Sequence, residues 1–261
     1  MKNKISVLMT VYNGDKFIYQ ALKSIINQSY DNWNAIIIDD KSTDNSVRII
    51  KENFKDKRIK LIKLKKHVGR TNALILGLKK CKGEFTAIMD ADDISHHDRF
   101  KKQIKFLKKN LKIKMVGSWI YKVDKYSKRF GTLKPTTNIC DLNSQLLFLN
   151  VLSHSSLMFY TNLAKKYNGY PKKLKYAQDY GLILKFLKYE SVAVIPNFLI
   201  SNRFQEKSMT YTHNFQKQIA KDQNSLLIYV KNNFKLNHRE FFKYLYLRVK
   251  FFFKLLIYSF F

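Results

Sequence analysis

The sequence predicts an α/β fold, a mostly parallel Rossmann-like sheet with helices on both faces, followed by a C-terminal helical tail. Three observations predict it. Short apolar, β-branched runs alternate with helix-period segments four times between residues 5 and 110. Each run ends in polar or acidic residues, and a parallel sheet gathers such ends along one edge. From residue 214 onward the chain turns basic and aromatic, with no strand signal.

The elements follow in order. Ile5 to Thr10 reads as a buried strand, and Tyr12-Asn13-Gly14 as the turn after it. From Asp15 onward, Phe17, Ile18, Ala21, Leu22, Ile25 and Ile26 keep helical spacing. Ala35 to Ile38 is a second strand, closing on Asp39-Asp40, and Ser42 to Asn53 is a helix with Ser and Asp near its start. Ile59 to Leu64 is a third strand and Arg70 to Lys80 a third helix. Phe85 to Asp90 is a fourth strand that runs directly into Asp92 and Asp93. Ser95-His96-His97-Asp98 has the Ser-x-x-Asp form of a helix start and leads to a helix through Asn110.

The second half is less regular. Met115 to Val123 reads as a strand, Asp124 to Gly131 as a polar turn back into another, and Asp141 to Leu149 as a helix. Ser155 to Tyr160 is a strand, and Asn168-Gly169-Tyr170-Pro171 a helix stop and turn. Asp179 opens a helix whose Leu182, Ile183, Phe186 and Leu187 bury one face. Val192 to Pro196 closes the domain, giving a division into residues 1–213 and 214–261.

Composition narrows the class. Hydrophobic residues make up 46% of 261, enough for a globular core. The net charge of +30 suits nucleic acid or an anionic membrane surface, although abundant Lys, Asn and Ile also fit a coding bias. No helix-turn-helix, zinc-finger or RNP pattern occurs, so nucleic-acid binding stays an alternative resting on charge alone. Cys81 and Cys140 are too few for a disulfide framework, which points to reducing cytoplasm. Lys2 and Lys4 precede only a short apolar run, unlike a secretory signal, and no uncharged apolar run suggests a spanning helix.

The acids carry the chemistry. Asp90, Asp92 and Asp93 repel one another unless a positive group sits among them, and at a strand end of an α/β sheet a divalent metal suits that place. The plain alternative is a solvated acidic turn before a helix. None of the eight glycines forms a Gly-x-Gly pair, so no dinucleotide fingerprint or Walker loop is present. Phosphates would then be neutralised by a metal and side chains. Carboxylates at two neighbouring strand ends point to one set for a base or ribose and another for metal and diphosphate.

Val7-Leu8-Met9-Thr10-Val11-Tyr12-Asn13-Gly14, Ile37-Ile38-Asp39-Asp40-Lys41-Ser42-Thr43-Asp44 and Met89-Asp90-Ala91-Asp92-Asp93 together resemble family-2 glycosyltransferases. These are inverting enzymes with the GT-A nucleotide-sugar fold, and the likeness runs from about residue 4 to about 210. The resemblance implies that Thr10, Tyr12 and Asp40 hold the nucleobase, with Arg70 near the uracil and diphosphate. It implies that Asp90 faces the ribose, and that Asp92 ligates Mg²⁺ or Mn²⁺. It also implies that Asp179 is the catalytic base. Three departures stand out: Gln178 replaces the family's Glu, Gly181 replaces a later Asp, and no histidine lies near Gln205. Arg203 and Lys207 remain candidates to meet phosphate in that loop, and His154 and His213 to replace the histidine. For both histidines an exposed or core-satisfied role weighs more, and His67, His96 and His97 read as structural.

In the tail, Arg239, Lys243, Lys250 and Lys254 fall within an arc of roughly 60° on a helical wheel crowded with aromatics. Arg248 lies on the opposite side. An interfacial membrane helix has that form, and the alternatives are packing on the domain or on a second copy. The functional expectation is a metal-dependent inverting hexosyltransferase, cytoplasmic and peripheral to the membrane. It would use a UDP-sugar donor and a cell-surface glycan or glycolipid acceptor. A nucleotide-sugar-forming nucleotidyltransferase is the second enzyme class, but it would want a Gly-rich loop where Tyr12-Asn13-Gly14-Asp15 stands.

Overall fold

The computed structural model describes residues 2–204 and 213–257. Residues 205–208, with Gln205 and Lys207, lie outside the described residues, as do the side chain of His213 and residues 258–261. The first half runs β1 (Ile5–Val11), α1 (Ile18–Ile26), β2 (Trp33–Asp39), α2 (Ser46–Asn53), β3 (Ile59–Lys63), α3 (Arg70–Lys80) and β4 (Phe85–Asp90). It continues through β5 (Ile94–Ser95), α4 (Arg99–Lys109), β6 (Ile113–Val123), β7 (Arg129–Leu133) and α5 (Ile139–Leu146). A 3-10 turn at His154–Ser156 precedes β8 (Met158–Tyr160), α6 (Thr161–Lys166), α7 (Gln178–Leu187) and β9 (Ser191–Arg203). Two tail helices, α8 (His213–Asn233) and α9 (His238–Ile257), follow.

Strand alternation builds the core. In β1, Ile5, Val7, Met9 and Val11 face one layer, while Leu8 faces the other. The first layer packs α1 and α4, through Leu22, Ile25, Phe100 and Leu107; the second packs α3 and α7, through Leu74, Leu78, Ile183 and Phe186. Helices therefore cover both faces. β1 pairs in parallel with β2 and β4, and β2 with β3, as expected. The sheet then changes character: β8 is antiparallel to both β4 and β6, while β9 is parallel to β6. Both halves meet at β4, the strand that delivers the acids.

Several boundaries differ from the expectations, each for a local reason. The strand expected from Ser155 is confined to β8, because Ser155 and Ser156 turn their hydroxyls to Asp93 and to the Ser153 carbonyl. α2 starts at Ser46 rather than Ser42, since Asp44 accepts the Ser46 amide and Lys41 takes φ +64° in the turn before it. Ser95 is not a helix start: it pairs with Ile200 in β9, and α4 begins at Arg99. β9 runs through Arg203, well past Pro196.

The tail does not form a core of its own. Leu226, Leu227 and Val230 of α8 bury against Leu147, Phe148, Tyr180 and Leu184, and Tyr244, Leu247 and Phe251 of α9 pack on that cluster. α3 crosses β1 and β2 closely at Gly77, where an added Cβ would lie 2.3 Å from Leu8 Cδ1 and 3.1 Å from Ile38 Cγ1. Gly77→Ala is expected to cost about 1–3 kcal/mol by overpacking, read as a fall of several degrees in Tm. Gly131→Ala, whose nearest neighbour is Lys122 Cδ at 3.5 Å, should leave Tm unchanged.

Candidate active site

Parallel pairing places Thr10 beside Asp90 and Val11 beside Asp39, so the ends of β1, β2 and β4 share one edge. Tyr12 projects from that edge, half exposed, with its ring 4.3 Å from the ring of His67. Asp40 is buried just beyond β2. Its Oδ1 accepts the Val68 amide at 2.7 Å and its Oδ2 the Gly69 amide at 2.9 Å, while His67 Nδ1 lies 3.0 Å from Oδ2. The carboxylate thus shapes the turn before α3, in which Gly69 adopts φ +83°, a conformation that suits glycine.

That turn aims Arg70, the first residue of α3. Arg70 Nη2 donates to Asp90 Oδ1 at 2.7 Å and sits 3.2 Å from His154 Nδ1, while His154 Nε2 is 2.9 Å from the Tyr170 hydroxyl. Burial alone would raise the Asp90 carboxyl, but Arg70, with His154 beside it, holds it well below the usual carboxylate range. Asp90 in turn raises Arg70 against the opposing effect of burial, and Asp179 and Asp92 add to it. Of these carboxylates, Asp90 meets the guanidinium directly. Arg70 Nε is buried without an acceptor among the described residues.

Asp179 stands in the first turn of α7, where its Oδ2 accepts from Asn150 Nδ2 at 3.0 Å. Gly181, the departure from the family pattern, has a packing reason. A Cβ there would meet Pro171 Cγ at 2.6 Å and Leu174 Cδ1 at 2.8 Å, so no Asp fits without moving the loop. Gln178 is buried, with its Oε1 unpaired among the described residues.

Asp93 has a different task. It is buried, accepts from the Ser155 hydroxyl, from Asn202 Nδ2 at 2.8 Å and from the Arg203 amide at 2.8 Å, and ties the acidic turn to the end of β9. Burial, then Asp92 and Asp90, push its carboxyl up. Beneath it, Arg99 is buried with Nη2 on the Ile88 and Leu157 carbonyls; burial brings its pKa down to about 9, although Asp93 and Asp90 oppose that.

Arg203, a candidate phosphate ligand from the sequence, is instead a clamp. Its guanidinium donates to the carbonyls of Asp92, Asp124 and Lys125, to Ser127 Oγ and to Gln20 Oε1. His96 and His97 serve structure, meeting Ser201 Oγ and the Asn27 carbonyl. His154 is buried and bonded to Tyr170, the core-satisfied place expected of it, while His67 stands at the crevice beside Tyr12 and Asp40.

The donor set can be tested against a divalent cation. Among the described residues, no group of three His, Cys, Asp or Glu could hold a metal by itself. Asp90 is engaged by Arg70, and Asp93 by Ser155, Asn202 and Arg203. Asp92 lies half-buried in the turn between them. One carboxylate with substrate phosphates and water completing the shell is how Mg²⁺ is commonly bound, so the residues fit such an ion and not an all-protein cage.

One further residue was invisible in the sequence. Asp222 of α8 is buried, and its Oδ2 accepts the amides of Lys175 and Tyr176 at 2.8 Å and of Ala177 at 3.2 Å. Gln218 Nε2 holds the other oxygen at 2.8 Å. The tail thereby fixes the segment that leads into Asp179. Thr71 Oγ1 of α3 bonds the Leu174 carbonyl at 2.7 Å, so Arg70 and Asp179 are braced through the same loop.

Comparison with known proteins places this geometry. The sequence profile described as Glycosyl transferase family 2 matches residues 6–166. An uncharacterized glycosyltransferase of Haemophilus influenzae is 31% identical over 83% of this chain and 71% of its own. The UDP-Glc:alpha-D-GlcNAc-diphosphoundecaprenol beta-1,3-glucosyltransferase WfgD of Escherichia coli is 27% identical over 87% of each chain. Among solved structures, S. aureus TarS 1-349 in complex with UDP superposes with a TM-score of 0.71 at 19% identity, covering 95% of this chain and 70% of that one. The mannosyltransferase PcManGT of Pyrobaculum calidifontis, in complex with GDP-Man and Mn²⁺, also gives 0.71, at 17% identity over 98% of this chain and 73% of its own. Both structures establish the GT-A type of fold.

Two measurements test the geometry. Asp90 has a folded-state pKa below its unfolded value, so its contribution to stability is complete at neutral pH and fades as pH falls toward the folded value. Arg70→Met should therefore lower Tm at pH 7, and the gap to the parent should narrow as pH drops below about 5. Asp222→Ala leaves the amides of Lys175, Tyr176 and Ala177 without their acceptor. Hydrogen exchange at Lys175, Tyr176 and Ala177 should accelerate roughly ten- to hundredfold, while exchange in β1 stays slow.

Proposed function

The chain belongs to glycosyl transferase family 2, and from that premise we propose that it is a metal-dependent inverting hexosyltransferase. It moves a hexose from a UDP-sugar to a hydroxyl of a lipid-linked or cell-surface glycan at the inner face of the membrane. The observation that supports this proposal is the Arg70–Asp90 ion pair at the edge shared by the ends of β1, β2 and β4.

Tyr12, Thr10 and Asp40, with the His67 ring tilted against Tyr12, form the nucleobase side. Asp90 faces the ribose, and Arg70 stands toward the diphosphate. Asp92 would hold the Mg²⁺ or Mn²⁺ that, when bound, neutralises charge on the leaving diphosphate. Asp179 takes the proton of the acceptor hydroxyl as that oxygen attacks the anomeric carbon. The new C–O bond forms as the bond to diphosphate breaks, and a single displacement inverts the configuration. One carboxylate base suffices because the leaving group needs no protonation. Asn150 orients that carboxylate through its hydrogen bond.

UDP as the nucleotide is favoured by the donor in the name of WfgD, and a lipid-linked acceptor by the diphosphoundecaprenol in the same name. The test is release of nucleotide diphosphate from UDP-, GDP- and dTDP-sugars, with and without Mn²⁺, in the presence of a polyprenyl-diphosphate-linked sugar. UDP release dependent on metal and acceptor is expected. Asp179→Asn should lower kcat about 10²- to 10⁴-fold with the circular dichroism spectrum unchanged, and Asp92→Ala should lose the response to added metal. Full transfer by Asp179→Asn would remove it as the base.

A further inference from the structure

We propose that α9 docks flat on an anionic lipid bilayer, with its outer face as the docking surface. This deepens the membrane-side part of the proposed function by naming the surface, and it rests on that part alone. Tyr244, Leu247 and Phe251 turn one side of α9 inward onto α8 and the third core cluster. On the outer side Phe242, Leu245, Tyr246, Val249, Phe252 and Phe253 are exposed, between 42% and 69%. At 100° per residue these six occupy an arc of about 120° that no charged residue enters.

Cations frame that arc. Arg239, Lys243, Lys250 and Lys254 occupy the roughly 60° next to one border, and Arg248 stands beside the other, where it bonds Asn224 of α8. Arg248, out of place on the sequence wheel, thus completes the frame once the docked side is known. Glu240, the one acid of α9, lies on the inward side and bonds Ser144 Oγ at 3.0 Å. An apolar arc bordered by cations on both edges suits rings and aliphatic side chains at the acyl boundary and Lys or Arg at anionic headgroups.

A second copy of the chain fits this face poorly. A two-fold interface would set each cationic border against that of the partner, and the net charge of +30 adds to the repulsion. Nor is the face a membrane span, because no helix among the described residues is long and apolar enough to cross. The helix is also preformed: Asn237 Oδ1 accepts the Glu240 amide at 3.0 Å and Glu240 Oε2 accepts the Asn237 amide at 3.0 Å. Since α8 grips the segment before Asp179 through Asp222, docking of α9 would hold the catalytic crevice at a set height above the lipid.

The test is sedimentation of the full chain with phosphatidylcholine vesicles, with and without phosphatidylglycerol. Binding that requires phosphatidylglycerol and weakens with salt is expected. Phe242→Ser with Phe253→Ser, and separately Lys243→Glu with Lys250→Glu, should each reduce it about tenfold or more. UDP release with the polyprenyl-diphosphate-linked sugar dispersed in detergent, where no bilayer is needed, should stay unchanged in both. Vesicle binding unaffected by either pair, or equal on neutral lipid, would overturn the proposal. So would a dimer in solution that the Phe pair converts to monomer without changing vesicle binding. Because sedimentation needs no transfer, failure here and failure of the glycosyltransferase proposal are separable.

Discussion

The Arg70–Asp90 ion pair is the contact on which the crevice depends. A sheet edge that collects carboxylates from neighbouring strand ends is unstable to its own repulsion. Arg70 offsets that repulsion from α3, and its position is set in turn by Asp40, which holds the glycine turn before the helix. Asp40 shapes the loop, the loop aims Arg70, and Arg70 holds Asp90 ionised. The residues assigned to base, ribose and diphosphate are therefore mechanically linked before any donor arrives.

A second tier of buried polar groups holds the surrounding loops. Asp93 binds the acidic turn to β9, Arg203 clamps that turn to the loop after β6, and Arg99 supports both from below with bonds to strand carbonyls. Each has several hydrogen bonds, as burial of a charge demands. They cluster where the parallel half of the sheet meets the mixed half. The site sits on that seam.

The tail joins two roles in one pair of helices. Inwardly, α8 completes the third core cluster and supplies Asp222; outwardly, α9 presents apolar side chains within a basic frame. Under the proposed function, the first role bears on the base and the second on the bilayer.

The period of strands and helices, the covering of both sheet faces and the edge carrying Thr10, Asp40 and Asp90 were legible in the sequence. They follow from local alternation together with the rule that a parallel sheet gathers its strand ends. Arg70 was legible only through the family resemblance, although the helix that it opens was well marked. The place of His67, the clamp at Arg203, the buried Asp93 and the grip of Asp222 were not. Each depends on partners tens of residues away, and a side chain's local sequence does not tell whether it meets water or a buried amide. The tail wheel showed its cations, but only packing on α8 showed which side was left to face outward. The sequence by itself determined the elements and the chemistry available to them; tertiary structure decided which charges meet, because burial and long-range hydrogen bonding exist only once the chain has folded.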